Sequence, residues 1–295
     1  MHKTAVSPSR QYLICMLLVL LTAVFLRLVA LTTAPPGLTH DEADHGITAL
    51  SIVNGVRAVY FTIGYGREPL FDYVTALLMS VVGTTFLAGR LTAVFSSLIM
   101  IAGMAAWVRR AFDRQTAVLT AAGLAVGFWP LMTARQSLRS EMLPALFVLA
   151  VYLFWRGLPL SEKNPRQNRR SLSLSKAEAQ AQVDGTTRFG FDKLNHRYTQ
   201  ILANISTHAT WLYFLGGGLV LGLTFYTYIP ARVLWLVFPA TLVYAAWRKR
   251  PLFQQIWQQT LLMLGLALLT ALPLLRYLLT HPDAESRIGQ LSQPL

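Results

Sequence analysis

Between His40 and His45 the chain sets three carboxylates and two histidines into six positions, directly after a long apolar run. Only 13 acidic residues occur among 295, so the grouping of Asp41, Glu42 and Asp44 is more than solubility requires. Two readings are open. In one, this is a helix start, with Thr39 or Asp41 as the cap and the acids favouring the positive end of the helix dipole. In the other, a carboxylate stands at a membrane face, ready to take a proton from an incoming nucleophile. If Asp41 begins a helix, Asp44 and His45 follow at i+3 and i+4 and share its face. A zinc site made of His40, Asp44 and His45 does not have a recognised ligand spacing, and no metal is assigned.

Three further polar groups stand at apolar boundaries. Tyr65-Gly66-Arg67-Glu68-Pro69 precedes a short apolar segment that Pro69 would open as a helix. Arg135 and Arg139, with Glu141 behind them, are spaced to lie on one helical face. Tyr226-Thr227-Tyr228 leads through Pro230 to Arg232. Arginine suits a phosphate because its planar fork donates two hydrogen bonds to phosphate oxygens. Each group also has a plainer explanation. Arg90, Arg135 and Arg139 are placed to anchor to lipid head groups, Arg232 to be a flanking charge without further role, Tyr226 and Tyr228 to join an interfacial aromatic belt, and Glu68 to pair with its neighbour Arg67. Arg27 sits inside an apolar run, near enough to the boundary to snorkel.

The elements that must position these residues are membrane helices. Hydrophobic residues make up 54% of the chain and charged ones 13%, against about 25% in soluble domains. Spanning-length apolar runs recur, at roughly 11–33, 88–108, 116–134, 141–155, 209–228, 232–247 and 257–280, which makes about seven spans. The segment from Pro69 to Val82 is too short to cross and fits an interfacial helix. The net charge of +13 arises from basic residues gathered at alternate helix ends, not from a nucleic-acid-binding surface. Lys3, Arg10, Arg109, Arg110, Arg114 and Arg248 mark cytoplasmic ends, whereas eight of the 13 acids fall on the other side. The N-terminus is therefore expected in the cytoplasm and the four polar groups outside. Cys15 is the single cysteine, so an intrachain disulfide is excluded. Residues 156–207 form a polar, basic cytoplasmic insert, expected to be partly disordered.

At the polar groups the sequence resembles a known superfamily. Pro35-Pro36-Gly37-Leu38-Thr39-His40-Asp41-Glu42-Ala43 is similar to the first outer loop of GT-C glycosyltransferases. The nearest group is the bacterial relatives of protein O-mannosyltransferases (glycosyltransferase family 39 type) and of the lipid A aminoarabinose transferase. Gly66 to Tyr73, Gly83 to Leu91, Arg135 to Arg139, Tyr226 to Arg232 and His281-Pro282-Asp283 with Arg287 resemble later elements of that family in order. The resemblance implies an all-α integral membrane protein, a multi-span bundle whose outer loop carries interfacial helices. It implies one domain over 1–295, shortened at the C-terminus relative to the family. It also implies transfer of a sugar from a polyprenyl-phosphate donor to an acceptor hydroxyl on the extracytoplasmic face. Asp41 matches the family's catalytic base and Glu42 its companion, while Arg67, Glu68, Arg135, Arg139, Tyr228 and Arg232 are the expected substrate-binding set. Partners would be the lipid-linked donor, membrane lipid and an acceptor that is a protein, lipid or glycan, without nucleic acid. No cofactor other than the donor substrate is assigned. A transporter or lipid-linked-sugar flippase is the alternative, as is a non-catalytic fragment. Transport would favour charges at mid-membrane, and apart from Arg27 the spans hold few.

Overall fold

The computed structural model describes residues 8–63, 66–159 and 210–284. Most of the polar insert expected at 156–207, Tyr65 of the second polar group and Arg287 of the family resemblance lie outside the described residues. The described chain is helical: α1 (Pro8–Leu28), α2 (His40–Val53), α3 (Leu70–Val82), α4 (Phe86–Ala111), α5 (Arg114–Val126), α6 (Phe128–Ala134) and α7 (Met142–Gly157) come first. They are followed by α8 (Thr210–Thr224), α9 (Ala231–Leu234), α10 (Val237–Arg248) and α11 (Arg250–Thr280). Short 3-10 turns occupy Arg139–Glu141 and Pro282–Ala284. The only extended pairing described is an isolated antiparallel bridge between Phe61 and Arg67.

Four of these segments are long and apolar enough to cross a membrane: α1, α4, Arg139–Gly157 and α11. A fifth arises if α5 and α6, bent by 57° at Gly127, count as one broken span. The other two expected spans fall on shorter pieces. α8 has 15 described residues, and the stretch after Pro230 breaks between α9 and α10.

Helix α4 is the centre, packing on α7, α5, α3, α1 and α2. Its buried face is built of small residues, among them Ala88, Gly89, Ala93, Ser97 and Ala105. Without water to drive association, helices in lipid gain from close van der Waals approach, which small side chains permit. At Gly89 the approach is tight enough that a Cβ would strike the Ser137 side chain. A second core joins Phe154 of α7, Phe214 and Leu221 of α8, Phe238 of α10, and Ile256 and Met263 of α11. Here the glycines of α8 do the same work, since a Cβ on Gly218 would lie 2.5 Å from the Met263 carbonyl oxygen. Elsewhere α1 turns Leu13, Leu17, Leu21 and Phe25 outward, the apolar surface a lipid-facing helix needs.

Arg27 does not snorkel. It is fully buried, and its guanidinium donates to Ser97 Oγ at 3.0 Å and to the carbonyls of Ala125 and Leu124 at 3.0 and 3.1 Å. Those carbonyls belong to the broken end of α5, where no following helical turn can satisfy them. The buried charge is thus a cap for the kink.

Candidate active site

α2 starts where its sequence says it should. Thr39 is the N-cap: its hydroxyl accepts from the Glu42 amide at 3.2 Å, while Glu42 Oε2 accepts from the Thr39 amide at 3.0 Å. This reciprocal box fixes the first turn and sends Asp41, Asp44 and His45 to one side. Pro69 caps α3, and the Leu70 amide donates to the Tyr226 carbonyl at 2.9 Å, tying the α3 start to the segment that carries Tyr228. The Phe61–Arg67 bridge brings Arg67 back beneath α2. Gly66 is required there, with φ +85°, and a Cβ would meet Tyr60 Oη and, at 2.6 Å, the Ala284 carbonyl oxygen.

These segments enclose a cavity of about 240 Å³ lined by His40, Asp41, Asp44, His45, Arg67, Arg139, Ser140 and Tyr228, with Gly66 and Leu138. Its charges are arranged in pairs. Arg67 Nη2 donates to Asp44 Oδ2 at 2.7 Å. Arg139 Nη1 donates to the buried Glu68 Oε2 at 2.8 Å and stacks its guanidinium 5.5 Å from the centre of the Tyr228 ring. Arg232 stands 3.7 Å from Glu68 Oε1. His45 Nδ1 donates to Asp72 Oδ1 at 2.6 Å, both side chains buried. Asp41 lines the cavity, is exposed, and forms no such pair among the described residues. Arg67 keeps one donor over: Nη1 is buried and has no hydrogen-bond partner.

Glu42 faces the other way. Its Oε1 accepts from Arg90 Nε at 3.0 Å and from the Ser137 amide at 3.2 Å. Burial alone would raise this carboxyl. Hydrogen bonds from Thr39, Arg90 and Ser137, together with the charge of Arg90, outweigh burial and hold it below the usual carboxylate range. Arg90, which the sequence suggests as a lipid anchor, is 1% exposed and also donates to the carbonyls of Leu31 and Gly37. It staples the loop before α2 to α4.

Five of the substrate-binding residues read from the sequence therefore converge: Arg67, Glu68, Arg139, Tyr228 and Arg232. Arg135 does not join them. α6 ends at Ala134 and the chain turns before Arg139, so the two arginines share no helical face. Arg135 instead donates to the carbonyls of Leu26, Val29 and Ala34 at 2.7 to 2.8 Å, closing the C-terminal end of α1. Glu68 pairs with Arg139, not with its neighbour Arg67. His40, Asp44 and His45 do not gather as a metal site among the described residues. Asp72 was not singled out by the sequence, although it stands in the Gly66–Tyr73 segment of the family resemblance and is the one acid in the first turn of an otherwise apolar helix.

Residues 67–166 match the family model of dolichyl-phosphate-mannose-protein mannosyltransferases. Neither the curated proteins nor the solved structures yield a match. The matched stretch contains Arg67, Glu68, Asp72, Arg90 and Arg139, and the fold brings Asp41, Tyr228 and Arg232 to it from outside. Over that stretch, about a third of the chain, the family model agrees with the resemblance read from the motifs: residues 67–166 are similar to the membrane mannosyltransferases of that family.

Proposed function

We propose that the protein transfers a sugar from a polyprenyl-phosphate donor to an acceptor hydroxyl on the extracytoplasmic face, with the N-terminus in the cytoplasm and Asp41 as general base. One observation carries this reading: of the two carboxylates lining the cavity, Asp44 is paired with Arg67, while Asp41 has no cationic partner among the described residues. A base must keep its lone pairs available. The remaining charges suit an anionic donor. Arg67, with its unsatisfied Nη1, and Arg139, held flat against Tyr228, would grip the phosphate as the donor slides in from the bilayer. Glu68 keeps Arg139 and Arg232 together. Glu42 and Arg135 act as supports, holding α2 and α1 in place without touching substrate.

In this reading the acceptor oxygen attacks the anomeric carbon while Asp41 takes its proton and the lipid phosphate departs. General-base help is worth roughly 10²–10⁴-fold, and the arginines stabilise charge on the leaving phosphate. The test is Asp41→Asn in membranes supplied with labelled polyprenyl-phosphate sugars. Donor consumption should fall by at least about 10²-fold, with the thermal midpoint unchanged because Asp41 supports no other residue. Undiminished transfer by this variant would refute the assignment.

A further inference from the structure

One titratable pair beside the cavity takes no part in donor binding. His45 and Asp72 meet where α2 packs on α3, with Nδ1 donating to Oδ1 at 2.6 Å. Asp72 is wholly buried, and its second oxygen, Oδ2, has no hydrogen-bond partner. Fastening two helices does not call for such a contact. Apolar side chains of similar volume would do so without desolvating a carboxylate. The imidazole also leans edge-on against Phe71, with centroids 5.1 Å apart, which fixes the ring plane.

With Nδ1 taken by Asp72, Nε2 is the ring nitrogen left for another partner, and His45 is among the residues that line the cavity. Asp41 stands one turn earlier on the same face of α2. A histidine held at one nitrogen by a buried carboxylate, with the other left over beside a reaction cavity, is arranged to accept a proton. We infer that His45 is a second proton-handling residue of the transfer, receiving on Nε2 the proton that Asp41 takes from the acceptor. The inference rests on the reading of Asp41 as the base. In the step, the acceptor oxygen bonds to the anomeric carbon, and the bond from that carbon to the phosphate oxygen breaks with its electron pair leaving on the lipid phosphate. The acceptor's proton passes to Asp41 and on to His45. Asp41 regains its charge, the imidazolium is compensated by Asp72, and the proton escapes to water as product leaves.

The experiment uses membranes holding the full chain, with its endogenous acceptors, and a panel of labelled polyprenyl-phosphate sugars. His45→Asn keeps an amide N–H near the position of Nδ1 for Asp72 but offers nothing at Nε2. It should keep the donor KM and thermal midpoint while kcat falls by about 10²-fold. His45→Ala leaves a ring-sized space, and added imidazoles should restore part of the turnover, more for the more basic among those of equal size. Wild-type turnover by His45→Asn, with Asp41→Asn inert, sinks this inference and leaves the base assignment standing. Rescue that follows imidazole size and ignores basicity sinks it too. Should His45→Asn fail to fold, the imidazole series decides. An active Asp41→Asn overturns both readings together.

Discussion

Replacing Arg90 by alanine should loosen the first loop and cost most of the protein's transfer activity. The side chain is 1% exposed and makes three hydrogen bonds, to Glu42 Oε1 at 3.0 Å, the Leu31 carbonyl at 2.9 Å and the Gly37 carbonyl at 2.7 Å. Removing one partner of a buried ion pair costs about 3–5 kcal/mol, because the other charge stays buried without compensation. At about 1.4 kcal/mol per tenfold, the ratio of folded to unfolded protein falls roughly a hundred- to several-thousand-fold. Arg90→Lys keeps the charge but lacks the planar fork, so it should recover only part of the loss. The pH dependence has a defined sign. Glu42 titrates lower in the folded protein than its unfolded value of about 4.3. Its contribution is complete above that pH and is lost as pH falls through the depressed folded value. Without Arg90, two of the effects that lower Glu42 are gone, so protonation costs the variant less than the wild type and the gap between them should narrow on acidification. Thermal melts in detergent from pH 7 to 4, beside donor-lipid transfer, measure both effects. An Arg90→Ala protein that melts and transfers like wild type would refute the reasoning.

Other substitutions probe separate parts. Arg67→Lys keeps the ion pair with Asp44 but removes the unsatisfied Nη1. A lost hydrogen bond to a charged group, about 1.5–3 kcal/mol, should raise the donor KM roughly ten- to a hundredfold, and an unchanged KM would remove Arg67 from the phosphate site. Gly222→Ala should lower the thermal midpoint by an overpacking cost of about 1–3 kcal/mol, since the new Cβ would lie 2.5 Å from Thr270 Cβ and 2.7 Å from the Ala267 carbonyl oxygen. Gly265→Ala, with nothing within 4 Å, is the neutral control in the same melt. Arg27→Met leaves the Leu124 and Ala125 carbonyls without their donor, at about 1–3 kcal/mol each. Faster protease cleavage near Gly127 in membranes is the expected readout.

The local beginnings of elements were readable because their signals are short-range. Thr39 and Glu42 form a capping box three residues apart, and Pro69 stands just ahead of an apolar run, so α2 and α3 follow from neighbouring residues alone. Partnerships were not. Glu42 finds Arg90 48 residues away and Arg139 finds Glu68 71 residues away. Nothing in either local sequence distinguishes these pairs from Glu68 with Arg67. The periodicity that put Arg135 and Arg139 on one face assumed an unbroken helix, and the chain turns between them. Breaks also divide the expected spans, at Gly127 and after Pro230, where an even hydropathy profile hides a change of direction. The burial of Arg27 was invisible for the same reason: its acceptors exist only because α5 stops early.

That arginine ties together segments made at different times. A ribosome releasing α1 delivers a charged helix whose acceptors, the carbonyls of Leu124 and Ala125, are not yet synthesised. Such a charge costs roughly 2.5–3.5 kcal/mol at the bilayer centre and less toward the surface, where the last turn of α1 carries Arg27. Until almost a hundred further residues have emerged, α1 can sit stably only beside the insertion machinery or displaced toward the surface. The guanidinium therefore sets an order of assembly, in which the first helix to arrive is among the last to reach its final depth.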